Sequence, residues 1–320
     1  MKKFYSILLA MMLAIGVLAA CGETKTEDSK SPETSQAEKV SYPLTIKDAA
    51  GEEVVIEEKP EKLVSLMPSN TEIVYALGIG EELVGVTDYD TYPEEVADIE
   101  KVGGLEINIE KIISLNPDVV LAHASSAQSA GEGWQQLRDA GIDVVVVNDS
   151  TNFEDVYASI EMIGQVTGET TEAAELVDSM KNKMTAIQEK AANISDDDKK
   201  SVYIEVSGEP SIYTTGKNTF MQEMLNAINA ENIITEDGWI QVDQEAVISS
   251  NPDVIITTYG ADVGGNTVDT ISGREGWTDV TAVKDKQIID VDDDIVTRSG
   301  PRIVEGVETI AKAVYPEVFN

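Results

Sequence analysis

The chain has 320 residues, enough for about two domains of ~150 residues each, and 42% hydrophobic content allows substantial cores. A formal charge of −36 argues against nucleic acid as a partner, because phosphate binding needs a basic surface. A single cysteine excludes a disulfide within a monomer, and a single histidine leaves too few ligands for a bare zinc or manganese ion.

In chain order, Lys2 and Lys3 precede an apolar run from Ile7 to Leu18, the pattern of a signal peptide over residues 1–20. The following Leu18-Ala19-Ala20-Cys21 resembles a bacterial lipobox, which implies cleavage before Cys21 and lipid attachment to it. Residues 21–40 are rich in Glu, Thr, Ser and Lys and read as a lipid-anchored flexible linker. No later segment reaches about 18 continuous apolar residues, so the expected location is the outer face of the cell membrane, with the body in water.

Residues 41–60 read as a hairpin, with Leu44–Ile46 and Val54–Ile56 flanking Asp48-Ala-Ala-Gly51. A strand at Leu63–Leu66 follows. Ser69 and Glu72 then suggest a capping box for a helix through Leu77, ended by Gly78 and Gly80. Next come a strand at Val84–Val86, a helix at Ile109–Leu115, a strand at Val119–Ala122, a helix at Trp134–Ala140 and a strand at Val144–Val147. Short apolar strands alternating with helices predict a parallel α/β lobe over 61–169. From Thr170 to Ile194 apolar residues recur every three or four positions, which predicts one long helix. A second α/β series fills 199–320: a strand at Val202–Val206, helices at Thr219–Ile228 and around Glu245, strands at Val254–Thr258 and Gln287–Val291, and a terminal amphipathic helix begun by Pro301.

The two series share a sequence. Glu110-Lys-Ile-Ile-Ser-Leu-Asn-Pro-Asp-Val-Val-Leu121 and Glu245-Ala-Val-Ile-Ser-Ser-Asn-Pro-Asp-Val-Ile-Ile256 lie about 135 residues apart. Such a repeat predicts two similar lobes with a cleft between them, a place to bind rather than react when no catalytic set is present.

Residues from about 60 onward resemble the substrate-binding lipoproteins of ABC importers for iron chelates and vitamin B12. The resemblance rests on Pro60 to Gly78, Val84-Gly-Val-Thr-Asp-Tyr89-Asp-Thr-Tyr92-Pro93, Thr215-Gly-Lys-Asn-Thr219, Trp239-Ile-Gln-Val-Asp243 and Arg298-Ser-Gly-Pro-Arg302, and is closest to the vitamin B12-binding branch. It implies a class III periplasmic binding fold: two α/β lobes on a rigid long helix, with little hinge motion. It also implies an ABC permease and its ATPase subunits as partners, a monomer, no catalysis, and no cofactor beyond the transported chelate. By the same resemblance Glu110 and Glu245 dock onto arginine pockets of the permease. Tyr89, Asp294, Arg298 and Trp239 contact ligand, and Tyr213 joins them as a candidate. The chain departs from the branch at Leu105, Glu106 and His123, where tryptophans are usual, and at Ile295–Thr297, so its ligand wall is less aromatic.

His123 ends a strand and, as the lone histidine, reads either as a polar strand terminus or as an axial ligand to haem iron or cobalt. Four arginines, Arg138, Arg274, Arg298 and Arg302, are few for a highly anionic chelate. A corrinoid is therefore the expected ligand, ahead of a neutral ferric siderophore and then haem. An exported hydrolase built on His123 with Ser125 or Ser126 is the remote alternative, since no Gly-x-Ser-x-Gly elbow is present. A tethered scaffold without ligand is the other.

Overall fold

A computed structural model describes residues 40–261 and 263–320. The expected signal peptide, Cys21 and all but the last residue of the linker lie outside the described residues. Among the described residues no helix is long and apolar enough to cross a membrane.

Strands β1 (Leu44–Lys47) and β2 (Glu53–Ile56) form the expected antiparallel hairpin. Asp48 fixes it to the first lobe by accepting from the backbone of Val146 at 3.1 Å. That lobe holds β3 (Leu63–Ser65), β4 (Leu83–Gly85), β5 (Val119–His123) and β6 (Asp143–Val147), parallel throughout in the order β4-β3-β5-β6. The second lobe holds β7 (Ser201–Ser207), β8 (Tyr213–Thr215), β9 (Glu231–Asn232), β10 (Trp239–Gln241), β11 (Val254–Thr257) and β12 (Ile288–Asp290). Its order is β10-β8-β7-β11-β12, with β9 beside β7. The β8 and β10 strands run antiparallel to their neighbours, so this sheet is parallel in its centre and mixed at one margin.

Alternation along the buried strands separates three layers. Val119 and Leu121 face an inner core, whereas Val120 and Ala122 face an outer layer of Ile112, Trp134 and Leu137. In the second lobe Val202 and Ile204 face the same inner core, and Tyr203 faces its own outer layer with Trp277. The inner core is therefore common to both lobes. The helix Thr170–Ala191 contributes one stripe to it: Ala173, Val177, Met180, Met184, Ile187 and Ala191 are all buried. Its four large side chains represent roughly 6–12 kcal/mol of gross burial at ~1.5–3 kcal/mol each. The helix packs on Phe153–Thr167 of the first lobe and on Phe220–Ala227 and Ile303–Val314 of the second.

Several boundaries differ from expectation. The long helix stops at Ala191, and Ile194 lies in the turn beyond it. The helix carrying Trp134 begins at Ala127. The capping box at Ser69 and Glu72 does not form: Pro68 takes the first helical turn, Met67 becomes the N-cap without a side-chain bond, and Glu72 turns to the other lobe. Pro301 precedes the N-cap Arg302 of the helix Ile303–Val314 rather than sitting in its first turn.

Candidate ligand-binding site

The parallel strands point their carboxyl ends at the gap between the lobes, where loops can present side chains to a ligand. A cavity of about 490 Å³ occupies this gap. From the first lobe Met67, His123 and Asp149 reach it from the ends of β3, β5 and β6; from the second come Phe220, Trp239 and Arg298. Its size falls within the ~300–1,000 Å³ usual for small-molecule sites. A smaller chamber of about 130 Å³, beside Tyr89 and Trp134, shares Met67, Pro68 and His123 with it. Leu105 and His123, where the sequence departs from the aromatic pattern of the vitamin B12-binding branch, both line this chamber.

Tyr89 and Trp239 are large apolar side chains left 51% and 54% exposed, one from each lobe. Such surface gains free energy when a ligand covers it. His123 is buried, and its Nδ1 lies 2.8 Å from Ser125 Oγ. Burial holds its pKa below the usual imidazole range, against the pull of Asp149. Among the described residues, Arg298 is the one lysine or arginine lining the main cavity. Asp294 lies outside both cavity linings, accepting from Thr91 Oγ1 at 2.9 Å and pairing with Arg298 at 2.6 Å. Tyr213 also lines neither; its register opposite Gln241 puts it two positions from the Trp239 pair along the same face.

The sequence offers Arg298 and Tyr89 as ligand contacts and Glu72 as a cap, but gives none of them, nor Arg302 or Tyr92, the role of locking the two lobes together. Glu72, with a side chain only 2% exposed, receives both Arg302 Nε (2.9 Å) and Arg302 Nη2 (2.7 Å), and Arg298 Nη1 at 3.2 Å. Arg302 also stacks on Tyr92, its guanidinium carbon 3.8 Å from the ring centre. Arg298 Nη2 adds bonds to Thr91 Oγ1 at 2.8 Å and to the Tyr89 carbonyl at 3.2 Å. The partners lie more than 200 residues apart, so no local pattern could reveal them. The clustering of two of only four arginines within five residues was the available signal.

Glu110 and Glu245 are both exposed, each at the second position of a seven-residue helix, Ile109–Leu115 or Gln244–Ser250. The local frames match. Asn108 and Asp243 cap the amino ends through their side chains. Asn116 and Asn251 close the carboxyl ends in left-handed conformation, with φ of 50° and 48°. The next acid, Asp118 or Asp253, accepts from the backbone at the start of the adjacent strand segment.

Residues 63–295 match the family described as periplasmic binding protein. The chain belongs to that family. This periplasmic binding protein is 51% identical over 322 residues to the uncharacterized ABC transporter substrate-binding lipoprotein YvrC of Bacillus subtilis, covering all of both chains. It is 27% identical to the cobalamin-binding protein of Halobacterium salinarum, over 97% of this chain and 84% of that one. Its structure resembles that of a possible iron-binding periplasmic solute-binding protein from Staphylococcus epidermidis, at a TM-score of 0.72 and 38% identity, covering 81% of this chain and 100% of the other. The two-lobed α/β expectation is thereby met. As a periplasmic binding protein the molecule is a non-enzymatic, substrate-binding component of ABC import, of the vitamin B12, haem and siderophore type. The His123–Ser125 pair is accordingly not the start of a hydrolytic triad.

Proposed function

We propose that this binding protein captures a corrinoid, cobalamin first among them, in the interlobe cleft. The observation that carries the reading is the chemistry of that cleft. Two exposed aromatics, Trp239 lining the main cavity and Tyr89 the chamber beside it, offer apolar area to a broad, flat ligand. Arg298, the single lining cation among the described residues, is already held by Glu72 and Asp294. An uncharged macrocycle suits such a wall better than a polyanionic chelate, which needs free arginines. Similarity to a cobalamin-binding protein adds support. A neutral ferric hydroxamate is the second reading, favoured by the likeness to a possible iron-binding protein. Haem comes third, with His123 as the axial ligand.

Glu110 and Glu245 dock a two-fold permease in this proposal, being equivalent carboxylates on matching short helices, one on each lobe. A lipid on Cys21 tethers a monomeric body to the membrane, and the protein carries no cofactor of its own. Calorimetric titration of the purified chain with cyanocobalamin tests the ligand: one-to-one binding at micromolar affinity or tighter is expected, and no heat at high ligand concentration refutes the corrinoid reading. For docking, Glu110→Ala with Glu245→Ala is expected to abolish uptake by cells while leaving ligand affinity unchanged. Uptake at the normal rate refutes that role.

A further inference from the structure

We propose that His123 serves the ligand as a hydrogen-bond donor, offering an Nε2–H to an oxygen acceptor, and not as an axial ligand to its metal. This role rests on the cleft being the ligand site.

A neutral imidazole carries one proton, and the nitrogen that holds it is set by what the other nitrogen meets. His123 is the last residue of β5 and the N-cap of the turn Ala124–Ser126. Its Nδ1 accepts from the backbone N–H of Ser125 at 3.4 Å and stands 2.8 Å from the Ser125 hydroxyl. The hydroxyl can donate or accept, but a backbone N–H can only donate. A proton on Nδ1 would face the Ser125 amide proton. Nδ1 therefore keeps its lone pair, the hydroxyl turns to donate to it, and the ring proton lies on Nε2. Flipping the ring would set a carbon against both groups and forfeit both bonds. Burial outweighs the pull of the Asp149 carboxylate and disfavours a second proton.

Nε2 bonds to no protein group among the described residues. Unlike the indole nitrogen of Trp134, it is not sealed from solvent. The spaces that His123 lines are the two cavities of the cleft. A ligand filling them displaces water, and a donor then left unpaired is costly, so an oxygen acceptor at this place is favoured.

Axial ligation makes the opposite demand. A histidine bound to a metal through Nε2 gives up the lone pair there and carries its proton on Nδ1, donated as a rule to a carboxylate, a backbone carbonyl or water. Here Nδ1 faces an N–H instead. Haem held through His123 therefore requires the tautomer that this turn opposes. The side-chain amides of a corrinoid, or the hydroxamates of a siderophore, bring the oxygens that an Nε2–H takes.

The chain contains one histidine, so its tautomer can be read without ambiguity. The untagged full chain, labelled with heavy nitrogen and held in detergent at about pH 8, above the usual imidazole range, is measured by long-range proton–nitrogen correlation NMR. A protonated Nε2 and a bare Nδ1 are expected in wild type, and equally in Ser125→Ala, which removes the hydroxyl but keeps the backbone donor. A proton on Nδ1 in either protein overturns the proposal. Titration with cyanocobalamin then tests the contact. His123→Leu, which has no donor, is expected to bind about tenfold more weakly, and His123→Gln, which keeps an amide donor, to recover most of that loss. In wild type the Nε2–H signal is expected to keep its proton and shift on saturation, a readout independent of whether the variants fold. Equal affinity of wild type and His123→Leu, or an Nε2–H signal that does not move, overturns the donor role while the cleft reading stands. If cyanocobalamin does not bind, the corrinoid reading fails separately, and ferrichrome, which bears amide and hydroxamate carbonyls, takes its place; failure of both to bind overturns the donor role too. A visible spectrum of bound hemin that changes on His123→Leu would show axial ligation and overturn the proposal, whereas an unchanged spectrum supports it.

Discussion

Two nearly buried carboxylates hold arginine in this molecule, and they serve different ends. Glu205, fully buried in β7, takes Arg274 through two bonds of 2.7 and 2.8 Å, and both Tyr203 and Tyr259 donate to it. Burial, reinforced by the Glu205 charge, pushes both phenols well above the usual tyrosine range. All four residues belong to the second lobe, and the cluster pins the segment after β11 to the sheet. Glu72 instead takes its arginines from the opposite lobe, and those arginines keep 14% and 16% of their side chains exposed. One cluster is internal mortar; the other lies at the cleft, where Arg298 also meets the space a ligand enters. Equal chemistry therefore has unequal consequence, set by whether the pair lies within a lobe or between lobes.

The largest effect is expected at Arg274. Arg274→Met should leave Glu205 charged and unpaired in the interior, costing about 3–5 kcal/mol in denaturant unfolding, with ligand affinity unchanged in the molecules that fold. A loss below about 1 kcal/mol would show that the cluster stabilises little. Glu72→Ala should cost less, about 2–3 kcal/mol on the same scale, because its arginines can turn to water. It should also alter ligand affinity by freeing Arg298, and an affinity equal to wild type would deny the lock any link to the cleft. Thr91→Val removes the bonds of 2.8 and 2.9 Å to Arg298 and Asp294. Being exposed, they should contribute under about 1 kcal/mol; a larger loss would make Thr91 part of the lock rather than its edge. The smallest effect concerns pH. His123 is buried with its pKa lowered, so the unfolded chain binds more protons as pH falls below about 6.5. Its stabilisation is complete above that value and is lost toward the folded pKa. His123→Gln should flatten that part of the stability–pH curve, and an unchanged slope would assign the pH dependence to carboxylates.

Much of the frame was legible because it is local. The Asn-Pro-Asp repeat encodes a cap, a left-handed asparagine and a strand-anchoring acid within a dozen residues, and both copies fold alike. The spacing of Ala173, Val177, Met180, Met184 and Ile187 likewise determines a helix face before any partner is known. The helix Phe153–Thr167 went unassigned although Val156, Ile160 and Ile163 carry the same period. The antiparallel margin β8–β10 was less accessible, since its three-residue strands have too few positions to show a pattern. At the site, Trp239, His123 and Arg298 line one cavity and Tyr89 the chamber beside it, whereas Glu72 looks in the sequence like a helix cap. A carboxylate three residues after a serine looks the same whether it turns back to its own helix or reaches arginines 226 and 230 positions away.

The scarcity of free arginine also bears on how fast different ligands arrive. A chain of formal charge −36, whose cleft cation is already neutralised, repels anions at distances where no side chain yet touches them. Counter-ions collapse that field to about 8 Å at physiological ionic strength and extend it several-fold in dilute medium. Association of an anionic chelate should therefore accelerate as salt is added, whereas that of an uncharged macrocycle should scarcely respond. The protein would then sort its visitors by collision frequency before the cleft has weighed a single contact.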